Sequence, residues 1–97
     1  MFALLSITQQ NVDKMDDAIR IFETKVIPAA QIQKGFKGIY LLTDRKTGKT
    51  ISLGLWNSKD DAIETERSGY YSSQMDEFKN LCKAPPVLEG YEISAQG

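Results

Sequence analysis

Leu53-Gly54-Leu55-Trp56-Asn57-Ser58-Lys59-Asp60-Asp61 contains the change of period on which the fold turns. As far as Trp56 the alternation is that of a strand beginning near Thr50. Ile51, Leu53 and Leu55 point one way, and Ser52, Gly54 and Trp56 point the other. After Asn57 the pattern changes. Ser58, with Asp61 three residues on, is a capping-box-like helix start, and the helix is predicted to run to about Arg67, where Ser68-Gly69 breaks it.

The flanking sequence supplies the other elements. Upstream, Phe36 to Thr43 reads as a second strand. Asp44-Arg45-Lys46-Thr47-Gly48-Lys49 reads as the hairpin loop between it and the third, with Gly48 at positive φ. Before these, residues 2–8 form an apolar run suited to a buried strand. Met15, Ala18, Ile19, Phe22 and Val26 recur with the period of a helix, predicted from about 12 to about 32 and bent near Pro28. Downstream, Tyr71, Met75, Phe78 and Cys82 mark the inner face of a last helix. Pro85-Pro86 ends it, and Val87 to Ser94 completes the chain as a strand. The order is βαββαβ, an α+β ferredoxin-like protomer with a four-stranded antiparallel sheet, predicted as a single domain over 1–97.

Both faces of the predicted sheet carry bulky apolar groups: Ile39 and Leu41 oppose Tyr40 and Leu42 on the second strand. The helices can cover one face only. The other is expected to pack against the sheet of a second copy, and a closed two-fold dimer is the commonest way to supply one.

The composition narrows the chemistry. The chain has 97 residues, 12 basic and 13 acidic, with a net charge of −1, one cysteine and no histidine. No electrostatic excess draws it to nucleic acid. Disulfide frameworks, thiolate metal sites, Cys–His pairs and imidazole ligands are excluded within one chain. No run of about 18 apolar residues is present to span a membrane, and Met1-Phe2-Ala3-Leu4-Leu5-Ser6-Ile7 lacks the basic start and length of a signal peptide. A cytoplasmic protein is the expectation. Lys34-Gly35-Phe36-Lys37-Gly38-Ile39-Tyr40 has the look of an RNA-binding strand but starts the second strand rather than the third. Gly48-Lys49-Thr50 lacks the earlier glycine and the following helix of a phosphate loop. Asp16-Asp17, Asp60-Asp61 and Glu64/Glu66 fit helix first turns and solvated faces. Cys82 reads as a small core residue, not a nucleophile. Trp56 is a large anchor whose indole N–H could also serve a pocket wall.

Gly35-Phe36-Lys37-Gly38, the turn from Asp44 to Lys49, and Leu53 through Asp61 resemble the antibiotic biosynthesis monooxygenase superfamily, over nearly the whole chain. The resemblance implies a dimeric α+β barrel. In its cofactor-free polyketide oxygenases it implies an Asn on strand three, a Trp at that strand's end and a Tyr on the next helix. Only the Trp is present, as Trp56; Ser52 stands at the Asn position and Ala62 at the Tyr position. The haem-degrading branch needs an Asn, a Trp and a ligating His. Ser6, Thr65 and Met75 occupy those positions, and the lack of histidine argues against that branch.

Two functions follow. One is a homodimeric cofactor-free monooxygenase acting on a small hydrophobic, quinol- or polyketide-like molecule. Trp56 would hold its ring, and Ser52, Ser6 or a tyrosine would bond its oxygens. The other is a non-catalytic ligand-binding or stress-linked accessory homodimer. Besides Trp56, Ser52 and Ser6, the candidate pocket includes Tyr40, Tyr71, Met75 and Phe78. Neither reading needs a metal or another cofactor, and the expected partners are a second copy of the chain and a small apolar aromatic ligand.

Overall fold

The computed structural model describes residues 1–97. Strands β1 (Phe2–Gln9), β2 (Phe36–Thr43), β3 (Lys49–Trp56) and β4 (Val87–Glu92) form one antiparallel sheet in the order β2-β3-β1-β4. All four predicted strands are present, and β1 and β3 occupy the centre. Their register pairs Phe2 with Trp56, Leu4 with Gly54, Ser6 with Ser52 and Thr8 with Thr50. β4 adds to β1 with Leu4 opposite Gly90 and Ser6 opposite Leu88.

The β2–β3 hairpin has the geometry that its sequence demands. Asp44 Oδ1 accepts the backbone N–H groups of Lys46 (2.9 Å) and Thr47 (3.4 Å), and these bonds hold the Asp44 carboxyl below its ordinary pKa. Gly48 has φ 81°, and its backbone is so close to β1 that a Cβ would lie 2.3 Å from the Gln10 carbonyl oxygen. In return its own carbonyl accepts the Gln10 N–H at 2.8 Å. The turn therefore pins the end of β1 as well as joining β2 to β3.

The long first helix is segmented. A 3₁₀ turn (Val12–Lys14) leads into α1 (Met15–Ile21), a π-helical turn (Phe22–Val26) and α2 (Ile27–Gln31). The expected disturbance at Pro28 thus falls one turn earlier. Pro28 has no N–H to offer the Thr24 carbonyl, and the widened turn, in which the Ile27 N–H reaches the Phe22 carbonyl, accommodates the ring without ending the helix. Met15, Ala18, Phe22 and Val26 are buried as the periodicity predicts, and Ile19 is half-buried. After β3, α3 (Lys59–Arg67) starts at Ser58, whose Oγ accepts the Asp61 N–H at 3.2 Å. Gly69, at φ 82°, separates it from α4 (Tyr70–Lys79).

Two boundaries differ from expectation. α4 ends at Lys79, so Cys82 lies in the following turn and not on the helix face. The chain is drawn away by pairing with the end of β1: Gln10 and Cys82 form a bridge, and the Lys83 N–H donates to the Gln9 carbonyl at 2.7 Å. The last strand stops at Glu92 rather than Ser94.

All helices lie on one face of the sheet. The apolar core gathers α1, the π turn, α2 and α4 over β2, with Phe22 and Phe78 edge to face at 5.5 Å and Phe36, Ile39 and Leu41 packed beneath. The opposite face carries Leu5, Ile7, Ile51, Leu53 and Leu55, with Tyr40, Leu42, Val87 and Tyr91 exposed. The Ser58 cap sets the start of α3, the helix nearest the central strands' ends. Ser58→Ala is expected to lower the unfolding free energy by about 1 kcal/mol, read in urea as a lower midpoint with an unchanged slope.

Candidate functional site

The helix-covered face of β1 and β3 is polar where a sheet core is usually apolar. Ser6, Thr8, Gln10, Thr50 and Ser52 are all buried there. Thr8 Oγ1 donates to the Thr50 carbonyl at 3.2 Å, and Gln10 Nε2 lies 3.4 Å from Thr8 Oγ1 and 3.1 Å from Cys82 Sγ. Three buried polar atoms on this face have no partner: Ser6 Oγ, Gln10 Oε1 and Trp56 Nε1. A buried polar group without a hydrogen bond costs about 1–3 kcal/mol, so these three atoms are exceptions to the usual pairing of buried polar groups.

Trp56 ends β3 and is 1% exposed. Its indole stands edge to face with Phe36 at 5.8 Å and with Tyr71 at 6.2 Å. It folds back along its own strand over Gly54, where a Cβ would sit 2.9 Å from Nε1. The absence of a side chain at Gly54 therefore allows this orientation. Gly54 pairs with Leu4, and the next rung on the same face is Ser6–Ser52. The unpartnered indole N–H and the unpartnered Ser6 hydroxyl are thus one step apart along the sheet.

Beside this pair a groove of about 300 Å³ opens between α3 and the β1–β4 edge. Phe2, Leu4 and Gly90 form its floor, Ala62 and Ile63 its helical wall, and Lys59 and Glu66 its charged rim. Gly90 seats the Phe2 ring, whose atoms would lie 2.6 Å from a Cβ. Leu4 belongs both to the groove and to the rung that carries Gly54. It separates the groove from the indole N–H.

Trp56, Ser52, Ser6 and Tyr71 are brought together beneath the helices. Met75 and Phe78 are buried in the helical core with Phe22 and Val26. Tyr40 is 56% exposed on the opposite face. A bulge explains its placement. Phe36 pairs with Trp56, but Gly38 then pairs with Leu55, so the parity of the strand inverts at Lys37 and Tyr40 falls opposite Leu53. Ala62, at the position where the resemblance places a tyrosine, lines the groove with no hydroxyl to contribute. Phe2, Leu4, Gly90, Lys59 and Glu66 had no signal in local periodicity, because the groove forms where the two ends of the chain meet α3. Pockets on the outer helix surfaces are more polar, one of them lined by Gln33, Lys34, Asp61, Glu64, Thr65 and Ser68.

Protons in this region are held tightly. Burial raises the Tyr71 phenol well above its usual pKa, with the nearby Glu66 carboxylate adding to the shift. Burial also pushes the Cys82 thiol up, against the opposing influence of Thr8 and Gln10. For Tyr71 the folded state keeps its proton when the unfolded chain, with an ordinary phenol near 10, gives it up. Its contribution to stability is full below about pH 10 and falls as pH rises beyond it. Melting temperatures between pH 8 and 11 should therefore decline less steeply for Tyr71→Phe than for the unmodified chain.

No protein-family model matches this sequence, and no curated protein matches it. Solved structures do. A Bordetella bronchiseptica protein named as an antibiotic biosynthesis monooxygenase superposes with a TM-score of 0.84 at 10% identity, covering 97% of each chain. A Streptomyces coelicolor monooxygenase, in complex with the ligand nanaomycin D, superposes with a TM-score of 0.83 at 10% identity, covering 98% of this chain and 88% of that one. A Caulobacter crescentus protein carrying the same monooxygenase name gives 0.80 at 14% identity, with 97% and 90% covered. At these identities the likeness is one of architecture. The chain has the ferredoxin-like α+β fold of the proteins named antibiotic biosynthesis monooxygenases.

Proposed function

We propose that this protein is a homodimer that binds a small, flat, apolar molecule bearing ring oxygens, of quinol or polyketide type. Its apolar body lies in the groove under α3 and, with the Leu4 side chain displaced, one oxygen reaches the Trp56 indole N–H and the Ser6 hydroxyl. The observation that carries this reading is the pair of buried, unpartnered polar atoms, Trp56 Nε1 and Ser6 Oγ, one rung apart beside an apolar groove. The indole N–H can only donate, and the serine can donate or accept. A carbonyl or hydroxyl oxygen suits both. Ser52, directly opposite Ser6, is the third polar contact. Tyr71 holds the indole edge to face. Met75 and Phe78 support the helix behind it.

The dimer is supported by the open face of the sheet. Leu53 lies near its middle, flanked by Leu5 on β1 and Tyr40 on β2. A contiguous apolar surface of this kind is a mark of association, and its two-fold repetition would bury it sheet to sheet. Sedimentation at micromolar concentration should give twice the 10.9 kDa chain mass. Leu53→Asp should shift it to the single-chain mass while leaving the far-ultraviolet spectrum unchanged. A wild-type species at the single-chain mass contradicts the dimer.

The fold shared with the Streptomyces coelicolor monooxygenase supports a second step, oxidation of the bound molecule by O₂ without a metal or organic cofactor. For an anthrone-like ring the reaction balances as CH₂ + O₂ → C=O + H₂O, the substrate supplying all four electrons. Oxygen uptake with anthrone should exceed the uncatalysed rate and fall at least tenfold in Trp56→Phe, which keeps the ring but loses the N–H. Binding without uptake would leave the ligand-binding function and remove the oxidation.

A further inference from the structure

We infer that Lys59 selects ligands whose outer end carries an ionised oxygen, so that the groove takes an aromatic anion in preference to its neutral counterpart. This rests on the ligand-binding reading above and adds a specificity-determining residue to it. Lys59 is the first residue of α3, and its position follows from the Ser58 cap. It lines the groove, and it also lines the smaller cleft that continues past Phe2 towards Asn57 and Glu92. It therefore stands midway along one continuous furrow.

Its ammonium is free to act on a ligand. The ion pairs of the chain are Asp17–Arg20, Lys25–Glu77 and Asp16–Arg45. Lys59 is in none of them, although Glu66 and Glu92 line the same furrow. Glu66 is seven residues further along α3, about 10 Å by helical rise, and faces the Tyr71 phenol, whose proton it helps to retain. The two rim charges thus lie at opposite ends of the groove. A ligand anion beside Lys59 meets a cation with no competing carboxylate in contact, and the apolar floor of Phe2, Leu4 and Gly90 weakens the solvent screening on one side.

The groove's two ends differ in chemistry. The inner end closes on Leu4, with the neutral donors Trp56 Nε1 and Ser6 Oγ buried behind it; the outer end offers a full positive charge. A ring with oxygens at both ends fits this polarity, its inner oxygen neutral and its outer one ionised. Phenolates, enolates and aryl carboxylates form the class.

6-Hydroxynaphthalene-2-carboxylate, with a neutral oxygen at one end and an ionised group at the other, and its uncharged amide have nearly the same shape and provide the test. Their dissociation constants would be read from quenching of Trp56, the sole tryptophan, in the wild type, Lys59→Met, Lys59→Arg and Glu66→Gln. The wild type is expected to prefer the carboxylate by about threefold to fivefold at low salt, the span of an exposed charge pair, and less as salt rises. Lys59→Met should abolish the preference without changing amide affinity, Lys59→Arg should keep it, and Glu66→Gln should leave it within twofold. Amide binding with no carboxylate preference, or a preference that survives Lys59→Met, overturns the role of Lys59 and leaves the groove's function standing. If neither compound binds, the ligand-binding reading falls and this inference with it.

Discussion

The pairing of β1 with β3 is the constraint on which the rest of the structure depends. It sets Ser6 against Ser52, Leu4 against Gly54 and Phe2 against Trp56. A slip of one residue would turn one strand over relative to the other, placing Ile51, Leu53 and Leu55 under the helices and the serines on the open face. The register is held by the hairpin on β3's other side. The Gly48 carbonyl accepts the Gln10 N–H, and only a residue without a Cβ approaches Gln10 so closely. One turn glycine at the far end of β3 therefore helps to fix which side chains of that strand lie under the helices.

That register also inverts the usual polarity of a half-covered sheet. Under the helices the middle of the central strands shows Ser, Thr and Gly; towards the outside the same strands show Leu and Ile. A lone chain of this length would be better served by the reverse, with apolar residues inside and polar ones facing water. Two physical demands resolve the inversion together. The apolar outer face gains by meeting another such face, and the polar inner face gains when a ligand oxygen satisfies groups that otherwise remain unpaired. In the proposed function, assembly and binding are the two ways in which one alternating pattern would find partners for both of its sides.

The order of elements along the chain, the capped α3 and the breaks at Gly48 and Gly69 were legible because each depends on residues within a few positions of one another. Trp56 and Ser52 were legible as neighbours for the same reason, through simple alternation on one strand, whereas Ser6 was reached only through the family resemblance. Tyr40 was not. Counting by twos from Phe36 puts it on the Trp56 face, and only the bulge at Lys37 inverts the count. Cys82 left its expected helix because pairing with Gln10 outweighs one more helical turn, a long-range competition that periodicity does not register. The groove itself was hidden, since Phe2 and Gly90 lie at opposite ends of the chain and meet only through β1–β4 pairing.

The protonation chemistry of the site follows from what the buried groups do with protons. The indole N–H donates and never accepts. The Tyr71 phenol and the Cys82 thiol are both held in their neutral forms by burial, and the chain has no histidine. Nothing beneath the helices therefore serves as a strong base near neutral pH. In the proposed oxidation a bound phenol or enol would lose its proton at the mouth, where water and the Glu66 carboxylate are the acceptors at hand, and the protein's contribution would be to favour the anion that remains. In the proposed binding mode Lys59 at the outer end would stabilise that charge, and the neutral donors behind Leu4 would fix the ring that carries it. With Ser52 and Ala62 at the positions where the resemblance places an amide and a phenol, Lys59 is the charged group left to supply electrostatic stabilisation in the proposed binding mode.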